Sequence, residues 1–537
     1  MQLLHAAPVR VLRSLPDRVR STESGLLTLA VVIGVGAGLG AVVFRWLVVT
    51  FTRLFSGHDD TPLGHTTHPW FPWLGPFFVV LAPVVAGLLY GPLVHRFARE
   101  ARGHGVPEVM DAVARRGGRI KPQVALVKAL ASALTIGGGG SVGREGPIVQ
   151  IGAALGSTLG RFARLDTERL RVLVACGAAG GIAATFNAPL AGVFFAMELI
   201  LSDFAARSFG MVVLSSVTAS VIGRSVLGDE PFLSLPEFSV DHVGQYGLYA
   251  VLGVLAGLVG VAFVRVLYGV EDACDAAWGR TGWPEWLRPA VGGLALGLLL
   301  LAIPQMYGVG YPVLAAGVAG QYAVGFLVVL LLAKAVATSL TIGIGGSGGV
   351  FAPSLFVGAM LGAAFGQTVH AASPGLAGPA GAYALVGMGA VFAGAARAPI
   401  TAVVILFELT GEYSIILPMM VSIVLATGVS KLLSHDTVYT AKLRRRGVDV
   451  DEPRAVATLR DRLVTEVMDP VPAGGVPDAD PVDGVRLRPD DHLADALEAL
   501  VRAEEHGTDV LPVVDDDDRV VGVVGHRHLV LALTAPR

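Results

Sequence analysis

Cysteine is nearly absent from this chain, with two residues in 537 (Cys176 and Cys274), and charged residues are scarce at 15%. Two cysteines build neither a disulfide framework nor a thiolate metal centre. The histidines offer no substitute: no His-Glu-x-x-His pair occurs, and each histidine falls in a loop, a tail or a segment end. With neither a metal ligand set nor a nucleophile–base pair, no catalytic residue is assigned and an intramembrane enzyme is disfavoured. A formal net charge of −3 lacks the basic excess that nucleic acid demands. Few charges beside 53% hydrophobic residues and a mean hydropathy of +0.64 instead place most of the chain in a lipid bilayer.

Nearly charge-free stretches at 74–94, 246–264 and 412–430 approach the roughly 20 residues that cross a hydrocarbon core, and a shorter one lies at 291–303. Basic residues cluster before the first span (Arg10, Arg13, Arg18, Arg20), after the second (Arg96, Arg99, Arg102, Arg115, Arg116, Arg119, Lys121) and after the last (Lys442, Arg444, Arg445, Arg446). The excess of arginine on cytoplasmic loops predicts a multi-pass cell-membrane protein with both termini inside. The connection 56–71, which carries Asp59 and Asp60 but no Lys or Arg, is then external. Residues 1–24 lack the apolar core of a cleaved signal peptide and read as a cytoplasmic tail.

Glycine is abundant, 69 residues, and it concentrates at 137–146 and 343–349 within apolar sequence. These clusters belong to an internal duplication. Residues 128–156 recur at 334–362 with 16 of 29 positions identical, pairing Lys128 with Lys334, Thr135 with Thr341, Ser141 with Ser347, Gly143 with Gly349 and Pro147 with Pro353. A second block, 176–199, matches 386–409 and aligns Pro189 with Pro399 and Glu198 with Glu408. Two halves, about 25–230 and 245–435, therefore each bring one glycine-rich break into the membrane. Non-helical backbone at that depth requires a protein-lined cavity, and broken helices at matching places point to an ion site. An odd number of spans per half would invert one copy; hydropathy alone leaves the count open.

Three segments pass from glycine directly into a helix start: GHGVPEV at 103–109, GREGPIV at 143–149 and GGVFAPS at 348–354. Pro107, Pro147 and Pro353 suit a first helical turn. Such ends expose unpaired N–H groups and about half a positive charge, so several aimed at one point solvate a small anion without the tight grip of a full cation. Glu145 puts a carboxylate where that anion would sit. Ionised, it is a tethered competitor; protonated, it swings aside, which makes it the predicted proton-sensitive gate.

GHGVPE, GREGP, NAPLAG (187–192), GGVFAP and Tyr439, in that order, resemble the CLC family of chloride channels and chloride/proton exchangers over about 25–446. The resemblance implies an all-α polytopic homodimer of CLC type, each subunit holding its own chloride path between two inverted halves. It places the gating glutamate at Glu145 and an outer anion site at the amides of Arg144, Glu145 and Gly146. A central anion would meet the amides of Val350 and Phe351 and the hydroxyl of Tyr439, with His104 and Gly105 contributing from the first motif. Two positions depart from the family pattern. The usual serine is His104, which exchanges a hydroxyl for a titratable ring; fluoride or nitrate selectivity is the alternative this raises. The internal proton-relay glutamate of exchangers falls at Leu199, next to Glu198, which favours a proton-gated channel over a chloride/proton antiporter. Glu198 and its repeat Glu408 read as structural.

Composition turns soluble after 446. A linker, 447–463, leads to a segment, 464–537, with a helical period at 491–507 and strand-like runs at 509–514 and 519–525, which together read as a small β-α-β-β unit; Asp515–Asp518 between the strands reads as a solvated turn. DVLPVVDDDDRVVGVVGHRHL is similar to a single cystathionine-β-synthase (CBS) motif, giving the fold a cytoplasmic α+β tail. The family's nucleotide-contacting Thr and Asp fall at Gly525 and His528, which speaks against a nucleotide cofactor, and the implied role is to brace the dimer or to regulate modestly.

Overall fold

The computed structural model describes residues 22–58, 68–228, 242–376, 378–448, 459, 462–471, 486–504, 510–515 and 519–534. The basic residues before Thr22, Asp59, Asp60, most of 447–463 and Asp516–Asp518 lie outside these. The chain forms two units, Met1–Arg446 and Gly447–Arg537.

The first unit is helical. Its first half runs α1 (Glu23–Ser56), α2 (Phe78–Phe97), α3 (Val106–Ala114), α4 (Gln123–Gly137), α5 (Glu145–Phe162), α6 (Thr167–Phe186), α7 (Pro189–Phe195, continued by a π turn Ala196–Leu201) and α8 (Ala206–Leu227). The second half repeats that order as α9 (Gln245–Gly279), α10 (Arg288–Ala302), α11 (Tyr311–Val318), α12 (Val324–Gly343), α13 (Phe351–Ala372), α14 (Ala380–Ala396), α15 (Pro399–Thr410) and α16 (Ile416–Leu433), with α17 (Thr440–Arg444) closing the unit. Among the described residues, nine helices are long and apolar enough to cross a bilayer. The chain is a multi-pass membrane protein.

The equivalent helices α2 and α10 establish the inversion. Gly91 lies against the Trp286 carbonyl, Gly87 against Pro289 and Ala290, Gly293 against Pro83, and Gly297 against Val80. Ascending positions on one helix meet descending positions on the other, so the two copies run in opposite directions. Hydropathy alone could not supply this, because it carries no information about which helices touch.

Small residues bring these helices close, as expected where lipid offers no hydrophobic drive between them. In α5 and α6, a Cβ on Gly152 would strike the Gly177 carbonyl; in α13 and α14, a Cβ on Gly358 would strike that of Gly387. The same crossing is thus built twice. Both α6 and α14 end on a left-handed residue, Asn187 (φ 58°) and Arg397 (φ 53°), before the Pro-started α7 and α15.

The second unit has a three-stranded antiparallel sheet, in order β1 (Asp469–Pro470), β3 (Val520–Gly525), β2 (Val510–Val514), with α18 (Leu493–Glu504) and a closing helix α19 (His526–Thr534). The expected β-α-β-β order is present, and α19 extends it. Leu493, Leu500, Leu511, Val513, Val524 and Leu529 form its core.

Gly152→Val or Gly358→Val should cost at least about 1–3 kcal/mol, because the obstacle is backbone rather than a movable side chain. Lowered thermal unfolding temperatures of the detergent-solubilised protein, similar for the two variants, are the expected result.

Candidate functional site

The two repeated glycine loops meet face to face. Gly143 N donates to Gly349 O at 2.7 Å and Gly349 N to Gly143 O at 2.6 Å. The hydroxyls just upstream are also reciprocal: Thr341 Oγ1 accepts from Ser141 N at 3.1 Å, and Thr135 Oγ1 from Ser347 N at 3.3 Å. The first motif joins through Gly103, whose N–H donates to Gly346 O at 3.1 Å and whose carbonyl accepts from Gly348 N at 3.2 Å. Three breaks far apart in sequence thus become one junction.

Lys128 and Lys334, both fully buried, hold it from behind. Lys128 Nζ donates to Ala101 O (3.0 Å) and Gly103 O (2.7 Å), and Lys334 Nζ to Ser141 Oγ (2.9 Å), Val309 O (2.8 Å) and Gly308 O (3.2 Å). The sequence pairs these lysines but does not reveal their partners. A buried ammonium costs several kcal/mol unless its donors are met, and here carbonyls and a hydroxyl meet them. The expectation of a site without full cations is therefore modified: two cations stand behind the loops, engaged by other groups.

At the front, a Cβ on Gly105 (φ 88°) would lie 2.7 Å from Gly146 O, and one on Gly349 2.7 Å from Gly146 N. The starts of α3, α5 and α13 converge only because no side chain intervenes. Glu145, 1% exposed, reaches across the interface of the halves: its Oε2 accepts from Ala352 N in the first turn of α13 at 3.4 Å, and its Oε1 from the Tyr311 hydroxyl at 2.8 Å. The carboxylate occupies the end of the other half's helix, where first-turn amides lack carbonyl partners. Arg144 turns its guanidinium over the rings of Tyr311 (5.1 Å) and Phe186 (5.9 Å). Val350 and Phe351 are buried at the start of α13, with the Phe351 ring against Phe392 at 4.6 Å.

Tyr311 was not found from sequence. Gly310-Tyr311-Pro312 opens α11, the counterpart of Gly105-Val106-Pro107 opening α3, and Gly310 (φ 90°) shares the positive φ of Gly105. Among the described residues, a fourth glycine-to-helix start thus reaches Glu145 beside the three read from sequence. The signal was a Gly-x-Pro repeated 205 positions on, outside the identical block.

His104 is 1% exposed, and neither ring nitrogen has a hydrogen-bond partner in the described structure. Its ring lies 6.2 Å from that of Tyr268, whose hydroxyl donates to Val438 O at 2.6 Å. This contact brings the late segment carrying Tyr439 beside the first motif. Tyr439 is buried at 1%, and its hydroxyl makes no hydrogen bond to the described residues. Glu108 caps its own helix through Gly105 N at 3.1 Å and pairs with Arg446 at 3.1 Å. Leu199 is buried and apolar.

A model of the voltage gated chloride channel family matches residues 86–431, and a CBS domain model matches 464–535. The chain belongs to the CLC family. It is 33% identical over 428 residues, 79% of its length and 98% of the relative's, to a Ralstonia nicotianae protein named for its likeness to the chloride channel ClcB. It is 36% identical over 448 residues, 81% of its length and 92% of the relative's, to the H(+)/Cl(-) exchange transporter ClcA of Cronobacter sakazakii. Its structure is similar to the crystal structure of a slow cyanobacterial Cl-/H+ antiporter, with a TM-score of 0.69 and 26% identity over 78% of this chain and 97% of that one. Membership of this family makes the protein a CLC chloride transporter with a CBS region.

Glu198 and Glu408 pair as reciprocal caps. Glu198 accepts from Ile400 N (3.2 Å), Thr401 N (2.8 Å) and Thr401 Oγ1 (2.6 Å) at the start of α15; Glu408 accepts from Leu190 N (2.9 Å) and Ala191 N (2.6 Å) at the start of α7. Each half thus uses a carboxylate to cap a helix of the other. Alanine at either position should destabilise the membrane unit by about 1–3 kcal/mol by orphaning buried amides. Matching drops in thermal unfolding temperature for Glu198→Ala and Glu408→Ala check it; a loss of transport without a loss of stability would contradict the capping role.

Proposed function

We propose that this protein exchanges chloride for protons across the cell membrane, through a separate path in each subunit of a homodimer, with both termini on the cytoplasmic side. The observation that carries the reading is the seat of Glu145, bridged between Ala352 N of the opposite half and the Tyr311 hydroxyl. A chloride ion entering from either side seeks the same amides, so carboxylate and anion displace one another. Protonation removes the charge that holds Glu145 there, and the anion replaces it. Each exchange of occupant thereby links one proton-binding event to anion movement. The amides around Arg144, Glu145 and Gly146 form the outer position. The amides of Val350 and Phe351 with the hydroxyl of Tyr439 form the central one, flanked by Gly105 and His104.

Leu199 supports the competing reading, a passive proton-gated channel, since leucine relays no proton. The exchangers among the relatives tip the balance toward coupling, and His104 stands buried in the first motif with both ring nitrogens unengaged. The same ring is the local reason to compare chloride with fluoride and nitrate; the hydroxyl of Tyr439 and the intact GREGP favour chloride. The CBS-like tail braces the dimer without a nucleotide. His528 is already engaged, accepting from Gly525 N at 2.9 Å and facing Asp469 at 3.2 Å.

Vesicles containing the purified protein and an outward chloride gradient should take up protons against their own gradient, read with a pH electrode. Chloride movement whose reversal potential ignores a pH gradient would establish the channel instead. Glu145→Gln should abolish proton movement and leave chloride flux insensitive to pH. Tyr311→Phe removes a hydrogen bond to a carboxylate, worth about 1.5–3 kcal/mol. Chloride flux at neutral pH should then rise several-fold, and unchanged flux would show that Tyr311 does not hold the gate.

A further inference from the structure

Where α2 ends and α10 begins, the membrane unit encloses a cavity of about 330 Å³ that the transport path does not use. Val94, Pro289 and Ile344 give it an apolar wall, and Arg99, Arg102 and Arg288 a basic rim. Two carboxylates stand among the arginines. Arg102 contacts Glu285 at 3.3 Å and Asp275 at 3.8 Å, while Arg288 contacts Asp275 at 2.5 Å and Glu285 at 3.9 Å. Two acids shared by two arginines leave the third cation in excess: Arg99 is exposed and has no carboxylate partner among the described residues. Arg288 is 4% exposed, yet its Nε has no hydrogen-bond partner. The site holds one unneutralised guanidinium.

Its surroundings define the ligand further. Phe97 and Trp286, 51% and 38% exposed, adjoin the rim in sequence, the placement of aromatic side chains at a membrane–water interface. The arginine-rich end of α2 is the face the positive-inside rule assigns to the cytoplasm, where acidic headgroups attract basic side chains. A pocket with an apolar wall, a basic rim and an interfacial mouth matches a lipid phosphate better than a freely soluble anion.

We propose that this cavity binds the phosphate headgroup of an acidic phospholipid, with Arg99 supplying the uncompensated charge. The position gives such a lipid a hold on transport. Arg102 directly precedes Gly103, and Ile344 and Gly345, both lining the cavity, directly precede Gly346. Gly103 and Gly346 are hydrogen-bonded partners in the junction that positions the anion site. A headgroup drawing on Arg102 and the 344–345 turn therefore acts on both strands of that contact.

The test is native mass spectrometry of the detergent-purified full chain with phosphatidylglycerol and phosphatidylcholine of identical acyl chains. Wild-type protein should retain phosphatidylglycerol preferentially, and Arg99→Gln should lower that retention about fivefold, the weight of one basic side chain near an anionic surface. Chloride flux of Arg99→Gln in phosphatidylcholine vesicles, expected to match wild type, establishes that the variant is folded. Equal retention of phosphatidylglycerol by wild type and variant, or no preference over phosphatidylcholine, overturns the proposal. Displacement of the lipid by inorganic phosphate that itself remains bound would overturn the lipid assignment in favour of a soluble phosphate site.

Discussion

Two peptide groups, those of Gly143 and Gly349, exchange hydrogen bonds at 2.7 and 2.6 Å, and the arrangement of the membrane unit depends on that exchange. Each lies in a glycine-rich break that would be ruinous in lipid, because unpaired backbone at that depth has no water to bond. Each break satisfies the other. The pairing fixes the halves in register and aims the helix starts that follow, Glu145 on one side and Phe351 on the other, toward a shared point. The hydroxyls of Thr135 and Thr341 and the ammonium groups of Lys128 and Lys334 satisfy what remains.

The same logic of mutual satisfaction recurs at Glu198 and Glu408, each capping a helix in the other half. The symmetry breaks where function needs it to. Glu145 aligns with Phe351, so only one half carries a carboxylate at the junction, and the other half contributes the amide of Ala352 and the hydroxyl of Tyr311 that receive it. A duplicated scaffold thus yields an asymmetric site, with donors from one copy and a carboxylate from the other.

The departures from the family pattern fall at His104 and Leu199. His104 replaces a small hydroxyl with a buried ring whose nitrogens are unengaged, and Leu199 removes a carboxylate beside a glutamate already committed to capping. Neither residue takes part in the Gly143–Gly349 pairing. The tail follows a separate rule. Its core of leucines and valines folds a small sheet, and His528 is engaged with Gly525 and Asp469.

The sequence alone determined that the chain is duplicated, that it lies in lipid, and that glycine-to-helix breaks mark its centre, since composition and repetition are local properties of the string. It also marked Glu145 as out of place, because a carboxylate in an apolar helix start demands a reason. Tertiary structure decided what repetition could not encode: that α2 and α10 run antiparallel, that Glu198 and Glu408 are reciprocal caps, and that the Tyr311 hydroxyl meets the Glu145 carboxylate. Those facts are contacts between residues some 166 to 218 positions apart. Local periodicity carries no trace of such pairs, which exist only once two inverted copies have closed on one another.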